Sequence, residues 1–250
     1  MLSQMTIRWY KESFREYKKH LREKEFLPPT LENLNHLTIR AWLREGRKRG
    51  NKTNTIYNRY KGLKSFCTYL VKEELIALNP YDKVDKPKLE KTIPVWLDED
   101  DARLLMKFVT SDGYTPRYRQ KRDVAILSIF LFCGLRKSEL MDLREEDINF
   151  EDQKLKVNLG KGGKDRIIHL NNVVVKAIKE YIDEKVTKGK ASDYLFYSYN
   201  KSNRLSTAGL KYLFTYLKEK TAITKNFSAH TLRHTAASLI LKGSKRYISS

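Results

Sequence analysis

Cysteine is almost missing from this chain: 250 residues contain two, Cys67 and Cys133, each inside an apolar segment. That excludes a disulfide framework and any CxxC metal site, and it fits a reducing compartment. Long hydrophobic runs are missing too. The longest, Val124 to Cys133, is far short of the ~20 residues of a membrane span, and the opening MLSQMTIRWYKESF has no signal-peptide core. The expectation is a cytoplasmic protein with no membrane contact. Internal repeats and low-complexity tracts are absent as well, which excludes solenoids and disordered tails. Acidic residues are the remaining deficit, 30 against 50 Lys and Arg, for a net charge of +20. A polyanion is the partner such a surface suits, because each phosphate it neutralises releases counterions.

The chain has enough to fold: 40% of it is hydrophobic. In the first 80 residues the periodicity is helical. Ile7, Tyr10, Phe14, Tyr17 and Leu21 recur at spacings of three and four, up to Pro28 and Pro29. A second helical stretch runs from Thr30 to Gly50, and a third follows with Ile56, Tyr60, Leu63, Phe66 and Leu70 on one side. Its other side carries Lys52, Asn54, Asn58, Arg59 and Lys61, residue types that can reach base edges from a helix in a major groove. An ordinary solvated face has the same composition.

Half of the six prolines fall in NPYDKVDKPKLEKTIP, which reads as the boundary between a helical domain (1–82) and a second domain (95–250), with a linker over 83–94. Asp98 is placed to cap the first helix beyond it. DVAILSIFLFCG reads as a buried helix stopped by Gly134. Leu155, Val157 and Leu159 alternate up to a turn of Lys161, Gly162, Gly163 and Lys164, and Ile167, Ile168 and Leu170 follow, which predicts a β-hairpin. Helices resume from Asn172, interrupted by the aromatic run DYLFYSY.

Three basic positions in the second domain have a reason to face a phosphate. Arg136 opens a helix after a glycine break, and Glu139 three residues on can hold it; an ion pair between the two is the plainer reading. Lys161 sits at the hairpin tip, though the sequence is no P-loop because a strand follows in place of Ser or Thr and a helix. His230 and Arg233 share one helical face while Leu232, Ala236, Leu239 and Ile240 bury another. His230 and His234 at i and i+4 have no third ligand in the nearby sequence, so no metal is expected.

Together, CGLRKSELMDLREEDI, GKGGKDRIIHL and HTLRHTAASLIL, in this order, resemble the signature boxes of the tyrosine recombinases, the phage integrase and Xer-like family. The likeness extends through LDEDDARLL and the helical first half. It implies a mainly α fold with a small β component: an N-terminal core-binding, SAM-like domain and an α+β catalytic domain. It implies site-specific recombination of double-stranded DNA through a 3′-phosphotyrosyl intermediate, without ATP, metal or other cofactor, by a homotetramer on nucleoid DNA. Arg136 and Arg233 match the arginines that clamp the scissile phosphate. Lys161 matches the general acid toward the leaving 5′-oxygen, and His230 the residue that moves the proton at the attacking tyrosine.

That tyrosine is expected about thirty or more residues after the second arginine, beyond a Leu-Gly-His motif. Only 17 residues follow Arg233, and Tyr247, 14 residues on, is too near. The expectation is therefore that the chain contains no nucleophile, being shortened, and binds DNA without cutting it alone. A non-catalytic DNA-binding protein is the competing expectation; RNA binding through DYLFYSY, with no RNP motif beside it, is a weaker third.

Overall fold

The computed structural model describes residues 4–24, 30–89, 95–158, 165–189, 192–198 and 204–241. It divides into two compact units, Met1–Thr92 and Ile93–Ser250.

The first unit is built from α1 (Gln4–Glu23), α2 (His36–Lys48) and α3 (Thr53–Lys72). Tyr17 and Leu21 of α1, Ile39 and Trp42 of α2, and Ile56, Tyr60, Leu63, Cys67 and Leu70 of α3 form its core. Gly62 lets α1 and α3 approach, since a Cβ there would meet the Ser13 hydroxyl at 2.4 Å. The expected second helix starts later than Thr30. Asn35 caps it by accepting from the Leu37 and Thr38 amides, so the preceding residues form a turn. The expected linker also starts later than residue 83. A 3₁₀ turn, Pro80–Lys83, folds the chain back and buries Tyr81 and Val84 in the first core.

In the second unit α4 (Glu99–Thr110) begins at Asp98, whose carboxylate accepts from the Asp101 amide at 2.9 Å as expected of a cap. The buried stretch is α5 (Gln120–Ser128) followed by a π-helical turn, Ile129–Cys133, and it ends at Gly134 with φ +61°. The short α6 (Lys137–Asp142) leads to a three-stranded antiparallel sheet in the order β1 (Ile148–Asn149), β2 (Lys154–Val157), β3 (Arg166–His169). The two expected strands are present and β1 is an addition. The tip, with Lys161, Gly162, Gly163 and Lys164, lies outside the described residues. Within β3, Ile168 is half-buried and Ile167 is 63% exposed.

Next come α7 (Asn172–Thr187), α8 (Thr207–Lys220) and α9 (Ala229–Leu241). Asn171 caps α7 and Ser206 caps α8 through their side-chain oxygens. The segment α5 to Cys133 is enclosed by α4, α7 and α9, and that is where the larger core sits. Leu232, Ala236 and Leu239 of α9 are buried there as expected, whereas Ile240, one position round the helix, is half exposed. Phe196 and Tyr197 belong to this core too, Phe196 stacked on Tyr181 at 5.4 Å, so they are not free to stack on bases. One buried polar contact fixes the height of α9: the Thr235 hydroxyl accepts from the Leu97 amide at 2.8 Å and donates to the Thr231 carbonyl.

Candidate active site

The site is organised around a carboxylate. Arg136 takes the N-cap position of α6 in extended conformation, and Glu139, one turn on, reaches back so that Oε2 accepts the Arg136 amide at 2.7 Å. Oε1 accepts from the Arg136 guanidinium at 2.6 Å. From β3, Arg166 donates through both terminal nitrogens to the two Glu139 oxygens, at 2.8 and 2.7 Å, a bidentate fork. From α9, Arg233 lies 3.9 Å from Oε2 and donates to the carbonyl of Gly134, the left-handed residue that closes the π turn. A Cβ on Gly134 would touch Ala236 of α9 at 3.4 Å, so the glycine serves both the turn and the close passage of α9.

Burial is uneven in a useful way. The Glu139 side chain is 6% exposed, while those of Arg136, Arg166 and Arg233 are 40%, 34% and 33% exposed. Three cations thus reach solvent over one covered anion, leaving an excess of about two positive charges. Burial by itself would raise the Glu139 carboxyl; hydrogen bonds from Arg166, the Arg136 amide and the Arg136 guanidinium outweigh it and hold the group at about 2. The carboxylate stays ionised. Burial, then repulsion from Arg136, lowers Arg233 from its ordinary value, which marks a cation lacking full compensation in the protein itself.

His230 is exposed on the first turn of α9, and its Nε2 is 3.0 Å from Nε2 of His234, with the rings nearly perpendicular. One ring must donate in that contact and the other accept. Among the described residues no group of three His, Cys, Asp or Glu is arranged to hold a metal. Of the four expected catalytic residues, Arg136 and Arg233 meet at one carboxylate from positions 97 residues apart, His230 lies one turn before Arg233, and Lys161 lies outside the described residues.

Arg166 was missed by sequence reasoning. Its signal was available: counting by twos back from buried Leu170 passes through Ile168 to Arg166, which puts the arginine on the inward face of β3.

In the first unit, Asn54, Asn58 and Lys61 are exposed on one face of α3, and Lys52 is exposed at its N-cap. Arg59, half-buried beside them, pairs through its guanidinium with Glu16 of α1 at 3.1 Å. No helix among the described residues is long and apolar enough to cross a membrane.

The model of the phage integrase family matches residues 95–245, and that of the phage integrase N-terminal SAM-like domain matches residues 1–74. The tyrosine recombinase XerC of Bacillus pumilus is 30% identical over 244 residues, covering 96% of this chain and 78% of the relative. That of Caldanaerobacter subterraneus is 34% identical over 197 residues, 78% of this chain, and the match spans about half (53%) of the relative's length. Among solved structures, XerA recombinase shares 26% identity with a TM-score of 0.53, over 99% of this chain and 82% of that one. XerH recombinase bound to a palindromic difH substrate, at 19% identity and a TM-score of 0.74 over 96% of this chain and 69% of that one, shares the fold. With a family model matched over each compact unit, this chain belongs to the phage integrase family, the Xer-like tyrosine recombinases.

Proposed function

We propose that this chain binds double-stranded DNA and holds one backbone phosphodiester over Arg136 and Arg233 for strand exchange in site-specific recombination. The observation that carries the reading is the set of half-exposed guanidiniums above a buried, permanently ionised Glu139. A phosphodiester brings one negative charge and its pentacoordinate transition state a second. An excess of about two positive charges, fixed before substrate arrives, suits the transition state better than the ground state, and such groups are each typically worth about 3–4 kcal/mol.

Glu139 holds Arg136 by amide and guanidinium without capping all its donors, so the remaining N–H groups can point to phosphate oxygens. Arg233 takes its orientation from the Gly134 carbonyl. In this scheme Lys161 protonates the leaving 5′-oxygen, and His230, in contact with His234, moves the proton at the attacking hydroxyl. No tyrosine of this chain is assigned as that nucleophile. On α3, Lys52, Asn54, Asn58 and Lys61 serve as the contact face of the first unit, with assembly of four copies on DNA as the working unit.

A mobility-shift titration on duplex DNA at several salt concentrations tests the reading. Binding should weaken linearly in log salt, and Arg136→Ala and Arg233→Ala should each lower the slope by about 0.9, one phosphate contact. Salt-independent binding, or slopes unchanged in both variants, would contradict a phosphate clamp.

A further inference from the structure

We infer that Arg166 is a positioning residue of the phosphate clamp: it acts on DNA through Glu139 and Arg136, and it locks the strand that follows the Lys161 hairpin against the start of α6. The inference rests on the phosphate-clamp reading and extends it.

A guanidinium has five N–H donors, and Arg166 commits both terminal nitrogens to the two oxygens of Glu139. Arg136 gives that carboxylate one terminal nitrogen and its backbone amide. Arg233 gives it none at hydrogen-bond distance. Arg166 therefore sets its fork edge on the carboxylate and keeps three N–H groups, whereas Arg136 and Arg233 each spend one guanidinium N–H within the protein and keep four for an oxyanion.

The fork fixes the plane of the Glu139 carboxylate, because two parallel hydrogen bonds leave it no rotation. That plane decides where the Arg136 guanidinium lies. Without Arg166, a carboxylate 6% exposed would keep Arg136 as its one hydrogen-bonded guanidinium, with Arg233 at 3.9 Å, and could close onto Arg136 in the same bidentate way, withdrawing it from phosphate.

The second consequence concerns the sheet. Arg166 is the first residue of β3, paired with Val157 at the end of β2, and five residues past Lys161. The fork is thus the point at which the mouth of the hairpin is tied to α6. Lysine cannot replace it, since a single ammonium offers no planar fork.

The test is a double-mutant cycle on the full chain, read by duplex DNA binding against salt. Arg166→Ala and Arg166→Lys should each weaken binding roughly three- to tenfold and lower the log–log salt slope by up to about 0.9, because the contact given up is the one Arg136 makes. In an Arg136→Ala background, Arg166→Ala should cause no further loss, because its effect passes through Arg136. A thermal melt of each variant identifies loss of folded protein, and a carbon-13 titration of the Glu139 carboxyl should show it rising in both variants.

A further slope decrease of about 0.9 on adding Arg166→Ala to the Arg136→Ala background would mean that Arg166 touches phosphate itself, and full additivity of the two losses would mean that they act separately. Either result overturns the inference, as does Arg166→Lys binding like the parent. Failure of the parent chain to bind duplex DNA in a salt-dependent way would instead overturn the proposed function.

Discussion

Replacing Glu139 by Gln keeps the shape of the side chain and one acceptor for the Arg136 amide but removes the charge on which three guanidiniums converge. The ordinary carboxyl value is 4.5 and the folded one about 2. At about 1.4 kcal/mol for each tenfold change in proton activity, the ionised form contributes about 3 kcal/mol to stability at neutral pH. With its side chain only 6% exposed, solvent screening removes little of this.

Because the folded value is depressed, that stabilisation is complete above 4.5, where the unfolded carboxyl is already ionised, and it drains away as pH falls toward 2. At pH 3.5 about 1.4 kcal/mol of it should be gone. Urea unfolding of parent and Glu139→Gln chains, at pH 6 and at pH 3.5, measures the difference directly and cancels the other titrating groups. The expected gap is about 3 kcal/mol at pH 6 and about 2 at pH 3.5. A gap that is the same at both values, or under 1 kcal/mol at pH 6, would refute the view that Glu139 is a permanently charged hub.

Gly134→Ala places a Cβ at φ +61° and against Ala236, and should cost at least about 1–2 kcal/mol in urea unfolding; a neutral substitution would show that the turn and α9 can part without penalty. Thr235→Val leaves the buried Leu97 amide without its acceptor and should lower stability by about 1–3 kcal/mol, with an unchanged melting temperature counting against that tie between α9 and the start of the second unit.

Much of the fold could be read in the residues themselves because local rules and burial agree there. Period-three and period-four stripes announced α1 and α3, and Asp98 and Gly134 announced a helix start and a helix stop, since caps depend on a side chain and the few amides or carbonyls beside it. Boundaries decided by packing were harder to read. Val84 belongs to the first core although the prolines and charges around it look like linker, and Phe196 and Tyr197 are interior although their aromatic run looks like a contact surface.

For the site, the order of the boxes singled out Arg136, Lys161, His230 and Arg233 before any geometry was known. What only the tertiary structure decided is how the cations are governed. Glu139 could be expected to hold Arg136, three residues away in the same helix, but nothing in one dimension pairs it with Arg166, 27 residues on. Nor does the sequence say that Arg59 pairs with Glu16 of α1. Side-chain type and spacing fix which charges are present and which lie one helical turn apart. Which charges are neutralised within the protein, and which are left over for a phosphate, depends on contacts between elements distant in the chain, and those exist only once the core has brought the elements together.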